Sequence, residues 1–335
     1  MQHLTTLESL QTWRNEQEDL SQRVVLVPTM GALHEGHLQL MKLAKLKGQK
    51  VVVSIFVNPL QFGVNEDFSK YPRTLTEDLT LCERVGVDAV WTPSVTTLYP
   101  DTFAQADHTE RTVITPPHWL TDDMCGKTRP GHFTGVATVV FKLMQCVKPH
   151  VAVFGQKDAQ QLRVIQHMVA ELMLSVEIVS HPIVREPCSS FAQACSIPQG
   201  LAKSSRNRYL ETEAMYQAGE LFACTLQVIR ESLLRVCQSD TPPQETLSLE
   251  AWMDAHWKRC HQEAPQDVAP WSHKEYLLVK QWHTWTTLDT LDACWQAYQQ
   301  EKATLLLAGV SQIKRSSEEV PRVRLLDNHL LVPLG

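Results

Sequence analysis

The chain has 335 residues, enough for about two domains, each long enough to bury its own apolar core. Hydrophobic residues make up 43% and charged residues 20%, with only 13 glycines, which excludes a collagenous, low-complexity or compositionally disordered chain. Lys and Arg number 31 against 37 Asp and Glu, a net charge of −6, which argues against an extended nucleic-acid or anionic-membrane surface but leaves room for a small basic pocket.

At the N-terminus Glu8 stands where a secretory leader would be apolar, and no later apolar run reaches bilayer-spanning length. The nine cysteines are scattered and contain no Cys-x-x-Cys pair, so a cytoplasmic protein with reduced thiols is expected. Short β-branched runs then alternate with amphipathic stretches. Their order predicts a strand over 24–27, a helix over 38–47, a strand over 51–57 and a helix over 75–85 opened by a Thr74–Glu77 capping box. A strand over 88–91, a helix over 136–146, a strand over 151–154, a helix over 159–172 and a strand over 176–179 continue the series. This is the pattern of a Rossmann-like, doubly wound parallel α/β sheet. Residues 185–207 are rich in Ser, Cys, Pro and Gln, and a long helix over 211–237, a loop over 240–245 and strands over 276–279 and 304–310 follow. The expected domains are therefore 1–183 and a smaller α/β domain, 184–335.

The strongest local signal is Pro28-Thr29-Met30-Gly31-Ala32-Leu33-His34-Glu35-Gly36-His37, between the first strand and its helix. Gly36 permits close backbone approach, the helix N-terminus offers N–H groups to an anion, and two imidazoles bracket the spot as donors. The alternative is a pair of locally satisfied histidines. Lys203-Ser204-Ser205-Arg206-Asn207-Arg208 puts a Lys, two hydroxyls and two guanidiniums, the donors a triphosphate needs, within six residues, although basic Ser-rich loops are common on surfaces. Class I aminoacyl-tRNA synthetases and related nucleotidyltransferases combine two such motifs. Gly155-Gln156-Lys157-Asp158 follows a predicted strand, with Lys157 suited to phosphate charge and Asp158 to ribose or to a helix cap. Gln61 leaves the end of another strand with its amide, and Glu77 and Asp78 are candidates for magnesium or for helix capping. His256, Cys260 and His261 lack a fourth zinc ligand, and the tryptophans between 252 and 295 read as packing residues.

PTMGALHEGH, SIFVNPLQFG, NEDFSKYPRT, RPGHFTGVATVV, FGQKDAQQL and SSRNRYL together resemble the pantothenate synthetase (pantoate–β-alanine ligase) family of the nucleotidyltransferase superfamily, over residues 27–210. The resemblance implies ATP-dependent condensation of pantoate with β-alanine through pantoyl adenylate, with Mg2+, releasing AMP and pyrophosphate. It implies that Met30, Gly31, Ala32, Leu33, His34, Glu35, Gly36 and His37 line the ATP site, with His37 as proton donor and His34 and Lys157 as further catalytic groups. Gly155, Gln156, Lys157 and Asp158 are implied as a second nucleotide segment, completed by Val184, Lys203, Ser204, Ser205 and Arg206 on a second domain that acts as a lid. Gln61 and Gln161 are implied to grip pantoate, Gln61 also lying near β-alanine, and Asp78 is assigned provisionally to Mg2+. Partners implied are these small molecules and a second copy in a homodimer, with no nucleic acid or membrane. Two departures stand out: the link over 187–199 is long, and Lys203 replaces a commonly apolar residue. The competing readings are a mononucleotide adenylyltransferase, which would need a further cationic pocket, and a synthetase-derived RNA-binding module, which would need a basic stripe.

Overall fold

Val-rich runs 24–27, 51–53 and 151–153 are almost fully buried, as strands covered on both faces of a parallel sheet must be. The computed structural model describes residues 1–63, 68–100, 111–244, 247–313 and 323–333. Residues 65–67 of the NEDFSKYPRT motif and residue 245 of the expected loop lie outside them. The chain divides into two units, Met1–Val184 and Arg185–Gly335.

The first unit runs β1 (Gln2–Leu4), α1 (Leu7–Asp19), β2 (Val24–Thr29), α2 (Glu35–Lys47), β3 (Lys50–Ile55), α3 (Leu75–Val85) and β4 (Ala89–Trp91). Short helices α4 (Val95–Leu98), α5 (His118–Thr121) and α6 (Met124–Thr128) lead to α7 (His132–Val147), β5 (Val151–Gly155), α8 (Ala159–Glu171) and β6 (Glu177–His181). All six strands are parallel, in the order β1-β4-β3-β2-β5-β6. The chain winds outward from β2 through β3 to β4, then returns to lay β5 and β6 on the other side of β2. The winding thus reverses between β2 and β5, where the carboxyl ends of strands in such sheets open a ligand crevice. The segments after Thr29 and Gly155 leave the two strands that flank this point.

α3 spans the expected residues, but the expected capping box does not form. Thr74 makes no cap bond with its side chain. Its hydroxyl donates toward both oxygens of Asp78, 3.3 Å away, and its backbone (φ −121°, ψ 47°) departs from the extended N-cap conformation that would bring the oxygen to the helix amides. α7 begins four residues before the expected 136. Gly135 in its first turn has no Cβ, which would stand 2.3 Å from the Leu60 carbonyl oxygen, so the turn over Pro59–Gln61 packs directly against the helix.

The second unit contains α9 (Ser190–Ala194), α10 (Glu213–Cys237), α11 (Leu249–Glu263), β7 (Ser272–Gln281), α12 (Leu291–Gln299), β8 (Leu305–Ile313) and β9 (Val323–Leu331). Its sheet is antiparallel, in the order β7-β8-β9. Phe222, Leu226 and Ile229 of α10 share a buried core with Leu277, Leu307 and Leu325 of the three strands. The long link over 187–199 carries α9, capped by Ser189, whose hydroxyl donates to the fully buried Glu220 of α10.

Candidate active site

The loop between β2 and α2 is held by side-chain contacts at almost every amide. Gly31 N–H donates to Thr29 Oγ1 (3.2 Å), Ala32 N–H to Asp78 Oδ2 (3.0 Å) and Leu33 N–H to Asp78 Oδ1 (2.8 Å). At the start of α2, His34 N–H donates to His37 Nδ1 (3.3 Å) and Gly36 N–H to His34 Nδ1 (3.1 Å), a reciprocal cap built from two imidazoles. These five amides are thus satisfied within the chain. What the cap provides is a tautomer. Each Nδ1 accepts a hydrogen bond, so the proton of each neutral ring sits on Nε2, where it can be donated to an anion.

The His34 and His37 rings lie 4.1 Å apart, centroid to centroid. Burial is the main cause that pushes the His37 pKa down to about 4, the Lys157 charge adds to it, and Asp158 opposes it. His37 is therefore neutral at pH 7 in this structure, with its proton on Nε2. Lys157, just past the end of β5, thus acts electrostatically on His37. Lys157 Nζ lies 3.2 Å from Asp158 Oδ1. Asp158 stands at the N-cap position of α8, with no side-chain bond to the helix amides. Space beside Gly155 is open: a Cβ there would meet nothing within 4 Å.

Gln61 is nearly buried, 8% exposed, and is fixed from both ends. Its Oε1 accepts from Asn58 Nδ2 (3.2 Å), while its Nε2 faces Met30 Sδ in the histidine loop. Asn58 is oriented in turn by accepting from the Tyr99 hydroxyl (2.8 Å) and donating to the Gly135 carbonyl (3.1 Å). The Gln61 carbonyl accepts from His132 Nδ1 (2.8 Å) and from Arg129 (3.3 Å). Arg129 also donates to His132 Nε2 (3.0 Å), so the proton of that ring is on Nδ1. Sequence reasoning quoted the Arg129-to-His132 motif but gave these residues no role. An Arg and a His three apart at the start of a helix was the available signal. Gln161, half-buried in the first turn of α8, follows Gln160, whose amide is spent on Leu120, Asp123 and Cys125 of the α5–α6 segment.

Asp78 does not fit a magnesium site. It is 1% exposed and both of its oxygens already accept N–H and O–H donors. Among the described residues no group of three or more His, Cys, Asp or Glu side chains is arranged to hold a metal ion. Val184, half-buried, ends the first unit. In the second unit Lys203 Nζ pairs with Glu186 Oε2 at 2.6 Å, and Ser204 Oγ caps the turn Ser205–Tyr209 by accepting from Arg206 N–H (3.3 Å). A bidentate Arg185–Asp327 pair (2.6 and 2.8 Å) and the Arg185–Ala202 bridge hold this segment to β9.

The family model for pantoate-beta-alanine ligase matches residues 2–330. A pantothenate synthetase of Idiomarina loihiensis is 49% identical over 222 residues, which are 66% of this chain and 72% of that one. A bifunctional pantoate ligase/cytidylate kinase of Synechococcus elongatus is also 49% identical over 222 residues, but the match spans only 38% of its length. The crystal structure of pantothenate synthetase from Thermus thermophilus superposes with a TM-score of 0.74 at 33% identity, covering 98% of this chain and 99% of that one. A pantoate-beta-alanine ligase from Francisella tularensis, solved with β-γ ATP and β-alanine, gives 0.62 at 27% identity, covering 98% and 97%. With paired imidazoles, a lysine and a glutamine gathered at the switch point of a parallel sheet, and with matches across both units, the chain belongs to the pantoate–β-alanine ligase family.

Proposed function

We propose that this chain condenses pantoate with β-alanine at the expense of ATP, through a bound pantoyl adenylate. The observation that carries the reading is the pair of Nδ1-capped imidazoles at the end of β2, electrostatically coupled to Lys157 at the end of β5. The pantoate carboxylate attacks the α-phosphate and pyrophosphate leaves. The β-alanine amine then attacks the acyl carbonyl and AMP leaves. Charge that builds on the phosphates meets the His34 and His37 Nε2–H donors and the Lys157 ammonium, fixed groups that need no reorganisation during the step. A neutral His37 donates its hydrogen bond without losing a proton. Gln61, locked by Asn58, presents its amide nitrogen on the Met30 side to a pantoate oxygen, with Gln161 as its partner.

Magnesium enters this reading bound to the ATP phosphates and not to Asp78. By the resemblance Val184 and Lys203 to Arg206 also serve the nucleotide, and the ion pair with Glu186 supports a backbone role for Lys203. A cytoplasmic homodimer completes the proposal, on the strength of the resemblance. No helix among the described residues is long and apolar enough to cross a membrane. The test is AMP formation with pantoate, β-alanine and ATP, each omitted in turn. All three are required if the reading is right, and AMP release that ignores pantoate contradicts it.

A further inference from the structure

The β2–α2 loop turns two of its amides toward one point, and the chain fills that point with its own carboxylate. Gly31 (φ +77°) and Ala32 (φ +50°) are consecutive residues at positive φ, and the amides of Ala32 and Leu33 converge on one point. At that point sits Asp78, from the first turn of α3, with one oxygen on Ala32 N–H and the other on Leu33 N–H. The side chain is 1% exposed, and Thr74 adds a hydroxyl to both oxygens. Donors on both oxygens present the positive ends of their dipoles, an environment built for a fixed anion and hostile to a cation. Ala32 in a left-handed conformation persists only where its surroundings enforce it. The fit is close: a Cβ on Gly31 would stand 2.9 Å from Asp78 Oδ2.

We infer that Asp78 is a positioning residue for nucleotide binding, setting the backbone register from which His34 and His37 turn Nε2–H toward the phosphates, and not a magnesium ligand. The carboxylate stays inside the loop and acts through the residues that follow it: Leu33, held by Oδ1, directly precedes the His34 cap. The inference rests on the nucleotide role proposed above for the two histidines.

A double-mutant cycle on ATP affinity, read by calorimetry in the full-length chain, tests it. Asp78→Asn keeps the volume but replaces one acceptor with an amide that opposes the backbone N–H. It should weaken ATP binding by about 10-fold, His37→Ala should do likewise, and the double variant should lie within about 3-fold of the worse single variant, because both changes act through one contact. A double variant as weak as the product of the two single losses would overturn the inference, since an independent structural defect adds. So would recovery of ATP affinity by Asp78→Asn in excess magnesium, the behaviour of a weakened metal site. Should Asp78→Asn fail to fold, Gly31→Ala displaces the same carboxylate oxygen without altering its charge. It should reproduce the loss of ATP affinity, and unchanged affinity contradicts the inference. Pantoate KM at saturating ATP should stay unchanged in every folded variant. If the unsubstituted chain fails to bind ATP, the proposed function fails, whereas an additive cycle counts against Asp78 alone.

Discussion

His37→Asn separates two tasks that one imidazole performs. His37 Nδ1 accepts the His34 N–H and closes the cap of α2, while the proton on Nε2 is the donor assigned to phosphate. Asparagine carries an acceptor oxygen where Nδ1 stood and nothing where Nε2 stood. The cap should survive in His37→Asn and be lost in His37→Ala, a difference of about 1 kcal/mol in unfolding free energy between the two variants. Both should lose activity alike, because removing one preorganised donor to developing charge costs on the order of 10²- to 10³-fold in kcat, about 3 to 4 kcal/mol. With a pKa near 4, His37 is neutral at pH 7, so Asn leaves the charge of the site unchanged and the loss reads the missing hydrogen bond alone. Urea unfolding and AMP formation supply the two numbers. An Asn variant within about 10-fold of normal turnover would refute the donor role, since one tenth of the rate corresponds to only about 1.4 kcal/mol. Equal stability of the Asn and Ala variants would refute the cap.

Other expectations follow from the same contacts. The His37 ring should titrate near pH 4 by NMR. Its folded pKa lies below the ordinary 6.5, so its neutral form stabilises the fold above pH 6.5, and roughly 3 kcal/mol is lost as the pH falls from there through 4. Lys157→Ala should move that midpoint only part of the way back, because burial is the larger cause, and a full return to 6.5 would contradict the ordering. Gln61→Ala should weaken the use of pantoate and β-alanine while leaving ATP affinity by calorimetry nearly unchanged, whereas a large loss of ATP affinity would remove Gln61 from its assigned role. Lys203→Met breaks a pair with Glu186 that is partly exposed and should retain most activity. A loss beyond about 100-fold, roughly 2.7 kcal/mol, would show that the ammonium acts on phosphate.

Five strands of the parallel sheet were legible because most are written as Val-rich runs with the motifs directly after them, so the carboxyl-end location of His34, His37, Gln61 and Lys157 could be read without coordinates, whereas β1, three residues long and without such a run, went unread. The second unit was read as far as α10 and two strands. β9 went unread because Asp327, Asn328 and His329 interrupt its apolar pattern, and Asp327 is buried in a pair with Arg185 that the sequence pattern does not reveal. The character of the site was less legible than its place. Whether the loop amides are open to a ligand depends on Asp78, 45 and 46 residues away in sequence, and whether Gln61 is oriented depends on His132, 71 residues on. Local rules failed where another partner competed. Thr74 and Glu77 satisfy the spacing of a capping box, yet the hydroxyl of Thr74 follows the buried carboxylate instead. Likewise Lys203 reads as a phosphate ligand beside two serines until Glu186 is placed against it.

The adenylate intermediate is the central claim, and exchange of labelled pyrophosphate into ATP tests it most directly. The claim predicts exchange with pantoate, ATP and magnesium in the absence of β-alanine, and transfer of label from a pantoate carboxylate oxygen into AMP over a full turnover. Exchange that requires β-alanine, or label recovered in pyrophosphate or inorganic phosphate, would contradict adenylation and require an acyl-phosphate or concerted route in its place.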